Sequence, residues 1–134
     1  MTSRKIMQAY QNADRDAVAE TGDPHALVAL LFGELLRHMR LFVAMSEDGE
    51  ENSESRSKHF ARSLTIIYGL QNSLDFERGG EIVENLFRIY EYARQQLLSA
   101  SRTNDTAGAQ AAIDALEDIH DAWNQIDYAN QKTG

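Results

Sequence analysis

Apolar residues fall at steps of three and four along four successive stretches of the chain, the spacing of one face of an α-helix. The first stretch carries Leu27, Leu30, Leu31, Leu35, Met39 and Phe42. Ahead of it, Asp23 supplies a capping side chain and Pro24 a φ preset for the first helical position, so a helix is predicted to start at Pro24. It ends at the acidic run Glu47 to Glu51. Asn52 or Ser53 can cap a second helix with the stripe Phe60, Leu64, Ile67, Tyr68 and Leu74. Gly79-Gly80 interrupts the chain, and a third helix is predicted from about Glu81, with Ile82, Leu86, Ile89, Ala93 and Leu97 on one face. After the polar run Ser99 to Asn104, Asp105 can cap a fourth helix bearing Ala109, Ala112, Ile113, Leu116, Ile119, Trp123 and Ile126.

Helices of this length joined by short loops pack up-down-up-down, so the expected fold is all-α, an antiparallel four-helix bundle. A single Pro in 134 residues agrees with it. Residues 1–22 form an N-terminal arm with only Ile6, Met7, Tyr10, Ala13, Ala17 and Val18 to bury. An isolated helix of that length is marginal in water, so the arm is expected to dock on the bundle as a cap or to move. The bundle is expected over residues 23–128 and a C-terminal tail over 129–134.

The apolar stripes of the first and third helices are wider than a one-sided surface helix requires. Val28, Phe32, Leu36, Val43, Val83, Phe87 and Tyr90 are expected to be too many for one four-helix core, leaving some to be covered by the arm or by another molecule. A groove for an apolar helix or extended segment follows.

Charge narrows the partners. Thirteen basic residues against 21 acidic ones give a net charge of −8, which repels phosphate backbones and anionic lipid, so neither nucleic acid nor membrane insertion is expected. No apolar run approaches the ~20 residues of a membrane span and the N-terminus lacks a signal-peptide core, so a cytoplasmic protein is expected. The absence of Cys removes disulfides, thiolate metal sites and cysteine nucleophiles. A di-metal carboxylate bundle needs two Glu-x-x-His pairs, and the chain has one, Glu117 with His120. A helical-bundle metalloprotein built on that pair is the alternative reading. Nucleophile elbows, phosphate-binding Gly loops and His-Glu-x-x-His helices are absent, so no catalytic, cofactor-binding or metal residue is assigned and no enzyme is expected.

The run Ser73-Leu74-Asp75-Phe76-Glu77-Arg78-Gly79-Gly80-Glu81-Ile82-Val83-Glu84-Asn85-Leu86, continuing to Ile89-Tyr90-Glu91-Tyr92 and Leu97, resembles the central signature of the flagellar export chaperones of the FliS family. Tyr10-Gln11 in the arm, Asp23-Pro24-His25-Ala26-Leu27 with Leu30-Leu31-Phe32, and Leu116 to Trp123 are similar to the flanking parts of that family. Phe32-Gly33-Glu34 departs from its usual Tyr-Asp-Gly. The resemblance implies a bundle that binds the disordered C-terminal segment of flagellin, prevents premature filament assembly and delivers it to the export-gate protein. It also implies an arm, here Ile6, Met7 and Tyr10, that is displaced when the client binds. Leu31, Leu35, Tyr68, Ile82, Leu86, Ile89 and Tyr90 are the expected client groove. A co-chaperone and a homodimer are left open.

Overall fold

The computed structural model describes residues 24–50, 52–74 and 76–133. Their regular structure is four helices, α1 (Pro24–Glu47), α2 (Glu54–Asn72), α3 (Phe76–Thr103) and α4 (Ala107–Thr133). The arm residues Ile6, Met7 and Tyr10 lie outside the described residues. Each helix packs on two neighbours: α1 on α2 and α4, and α3 on α4 and α2, so the bundle closes as a ring with α2 diagonally opposite α4.

The helix ends follow local chemistry. Pro24 opens α1, and the Schellman arrangement closes it: Gly49 adopts φ 78°, its N–H donates to Ser46 O, and Glu50 N–H reaches Met45 O at 2.9 Å. Ser53 is the cap of α2, its hydroxyl accepting from Arg56 N–H at 3.0 Å. Asp105 accepts from Ala107 N–H at the start of α4. The glycine pair acts as a bend instead of a start: α3 begins at Phe76 and is broken at Gly80, whose φ of 57° and ψ of −136° leave the helical region.

The core is filled by Val28, Phe32, Leu35, Leu36, Met39, Phe42 and Val43 of α1, Ile67 and Leu70 of α2, Val83, Leu86, Tyr90, Ala93 and Leu97 of α3, and Ala109, Ala112, Ile113, Leu116 and Trp123 of α4. This corrects the expected surplus. Of the residues thought too many for one core, only Phe87 is exposed, because α1 is gripped by two neighbours and buries an arc of its surface wider than one stripe. On α3 the inward line runs through Val83 and Tyr90, while Ile82 and Ile89, one position away, are only partly covered. Leu30 and Tyr68, placed on buried stripes by spacing, point outward.

One end of the bundle is held by a buried arginine. The Arg56 guanidinium donates to Ser46 Oγ at 2.7 Å, to Ala100 O at 3.4 Å and to Asn104 Oδ1 at 3.3 Å, and lies 4.6 Å from the centroid of the Phe42 ring. Asn104, at φ 63°, caps α3 through its own N–H to Ala100 O and donates its side-chain amide to Ser46 O at 3.1 Å. The carboxyl ends of α1 and α3, each the negative end of a helix dipole, thus converge on one cation from α2.

Candidate binding groove

The α2–α3 seam is the loosest contact of the ring. There the side chains of Leu64, Thr65 and Tyr68 on α2 and Arg94 and Leu98 on α3 line an open trough of about 350 Å³. Leu64 and Tyr68 are four residues apart, as are Arg94 and Leu98, so each wall spans one helical turn, about 6 Å. Tyr68 is 67% exposed, a large aromatic ring left in water on the rim. The polar exception is ordered. Arg94 pairs side-on with Glu91 through Nε, at 3.0 Å, and through one terminal nitrogen, and Gln71 donates across from α2 to the same carboxylate at 3.2 Å. The Arg94 and Gln71 hydrogen bonds pull the Glu91 carboxyl down to about 2, and Glu91 in turn raises the Arg94 guanidinium.

The structure sorts the expected groove residues. Tyr68 lines the trough. Leu31, Ile82 and Ile89 keep part of their side chains at the surface while packing on the core. Leu35 and Tyr90 are fully buried and Leu86 retains 8% exposure, because the inward line of α3 and the centre of α1 pass through them. Leu64 and Leu98 belonged to stripes legible in the sequence, but only the splay of α2 from α3 turns them into a trough wall. No spacing rule signalled Arg94.

The other seams are closed by specific contacts. Between α1 and α4, Arg40 bonds Glu117 at 2.9 Å, and His120 stacks on Phe32 with ring centroids 5.8 Å apart. The pair behind the metalloprotein alternative is therefore split between an ion pair and an aromatic stack. Among the described residues no three His, Asp or Glu side chains are grouped to hold a metal ion. Between α1 and α2, His38 Nδ1 and His59 Nδ1 are 2.9 Å apart, while Arg37 stands 3.2 Å from His38 Nε2. A guanidinium only donates, so His38 accepts at Nε2 and donates from Nδ1, which makes His59 Nδ1 the acceptor. Burial lowers both imidazoles below their ordinary value, and the nearby cations push the same way: Arg37 for both, Lys58 for His59 and Arg62 for His38. No described helix is long and apolar enough to cross a membrane.

The family model described as Flagellar protein FliS matches residues 6–131. The chain belongs to this family. It is 32% identical to the flagellar secretion chaperone FliSB of Pseudomonas aeruginosa over 128 residues, covering 96% of this chain and 100% of that one. It is also 32% identical to the flagellar secretion chaperone FliS of Salmonella typhimurium, over 90% of this chain and 88% of that one. The relative from Vibrio cholerae, of the same description, is 28% identical over 92% and 89%. FliS proteins are chaperones of flagellar export and not enzymes, and this chain shares that class. Its functional surface is therefore one that holds a polypeptide, and the α2–α3 trough is the candidate.

Proposed function

We propose that this FliS protein is a cytoplasmic chaperone that holds the disordered C-terminal segment of flagellin along the α2–α3 trough, prevents its premature polymerisation and delivers it to the export-gate protein. The observation that carries the reading is Tyr68, two-thirds exposed beside Leu64 and Leu98 on an apolar trough between two helices. An aromatic ring and two leucines left open to water are what an amphipathic client helix covers. The half-exposed Leu31, Ile82 and Ile89 add apolar area for a client that wraps beyond the trough, and the arm with Ile6, Met7 and Tyr10 yields to it. Covering ~1,000 Å² of apolar surface releases a gross ~25 kcal/mol, most of it offset by ordering a disordered chain, so binding is firm yet reversible for export.

Capture of flagellin, full-length against C-terminally truncated, tests the reading, with the Tyr68→Glu variant alongside. Truncation is expected to abolish capture, and Tyr68→Glu to weaken it at least tenfold while the helical circular dichroism and melting temperature stay put. Undiminished capture of truncated flagellin overturns the client assignment. Undiminished binding by Tyr68→Glu overturns the trough.

A further inference from the structure

The trough contains one cation with an unused edge. Arg94 carries five N–H donors, and Glu91 takes two of them, at Nε and one terminal nitrogen. The opposite edge of the guanidinium, two parallel N–H groups in a fixed fork, is turned to neither Glu91 nor Gln71 and stands where a chain in the trough would lie. A client that covers the trough removes this edge from water, and donors left unmatched there oppose binding. A helix running along the trough has its interior carbonyls already bonded, so the acceptor has to be a side chain. Of the side chains that accept, a carboxylate matches both forked N–H groups at once.

We infer that Arg94 is the register-setting residue of the trough, taking a client carboxylate that lies one helical turn from an apolar side chain seated between Leu64 and Leu98. The inference rests on the trough reading above and adds to it the kind of client sequence the trough selects. The spacing comes from the walls: Arg94 and Leu98 are four residues apart, about 6 Å, so the client acid and its apolar anchor are three or four residues apart as well. Apolar contact alone tolerates sliding by a turn, whereas a dehydrated, bidentate charge pair holds one alignment. The surroundings sharpen the choice. A chain of net charge −8 repels an acidic segment in general, so a carboxylate is accepted only where a cation meets it directly. Glu91 keeps Arg94 pointed and holds it at the trough wall.

The test uses the full chain and a fluorescein-labelled peptide of the flagellin C-terminal segment, with each Asp or Glu of the peptide changed singly to Asn or Gln. Arg94→Gln is expected to weaken the peptide about tenfold, the size of one charge-assisted hydrogen bond, with unchanged helical circular dichroism. One acid-to-amide peptide is expected to lose the same factor against the wild-type chain and nothing further against Arg94→Gln. The double variant Arg94→Gln/Glu91→Gln, which leaves no carboxylate stranded in the trough, is expected to behave like Arg94→Gln. If Arg94→Gln binds every peptide as the wild type does while Tyr68→Glu has lost binding, the trough stands and the role of Arg94 is overturned. If Arg94→Gln weakens binding but no acidic position of the peptide couples to it, a carboxylate partner is overturned. Loss of effect at both Arg94 and Tyr68 overturns the trough together with the inference.

Discussion

Replacing Arg56 by Met keeps most of the apolar stem and removes the guanidinium from its buried place between three helices. What disappears is one short charged hydrogen bond, to Ser46 Oγ at 2.7 Å, two long ones at 3.3 and 3.4 Å, and a cation held 4.6 Å above the Phe42 ring. The short bond is worth about 1.5–3 kcal/mol and the ring contact about 1, while the long bonds add little. Relief from burying a charge offsets part of this, as replacement of buried ions by apolar groups often shows. The net expectation is a loss of about 2–3 kcal/mol. For a chain of 134 residues, unfolding entropy is about 0.28 kcal/mol per degree, so the melting temperature should fall by about 7 to 11 °C. Calorimetry on Arg56→Met, Asn104→Ala and the double variant measures both the fall and the coupling between the two side chains. An unchanged or raised melting temperature for Arg56→Met would refute the view that the converging helix ends are stabilised by that cation. Strict additivity in the double variant would show that Arg56 and Asn104 do not act together.

The histidine pair sets a pH dependence. Both imidazoles titrate below 6.5 in the folded chain, so as pH falls through 6.5 the unfolded chain takes up protons that the folded one refuses, and stability declines. Urea midpoints measured between pH 7.5 and 5.5 should fall, and the slope should flatten in His38→Gln/His59→Gln; an equal slope in both proteins would remove the pair as its source. At Gly80, φ 57° and ψ −136° suit only a residue without Cβ, and Gly80→Ala should destabilise by about 1–3 kcal/mol in denaturant unfolding despite the open space around it. A loss near zero would mean that α3 runs through the bend without it.

Much of this architecture was legible one residue at a time. Asp23-Pro24, Ser53 and Asp105 mark helix starts because their chemistry acts on backbone groups within a few residues. Three- and four-residue spacing located all four helices, since one face of each has to be buried. Spacing could not tell which of two adjacent lines on α3 points inward, and it put Ile82 and Ile89 where Val83 and Tyr90 stand. That choice depends on how far each helix rotates about its axis when packed.

The sequence by itself determined the helices, the all-α class, the acidic character and, through the run from Ser73 to Leu97, the family. Tertiary structure alone decided what is surface. Leu35 and Tyr90 became core because two helices flank each of theirs, and Tyr68, Leu64 and Leu98 became a trough because α2 and α3 stand apart. Arg94 acquired a role only by the approach of Glu91 and Gln71 from positions 3 and 23 residues earlier in the chain. Helical periodicity is a property of neighbours along the chain; exposure and the aim of a charged side chain depend on partners that packing brings in from elsewhere.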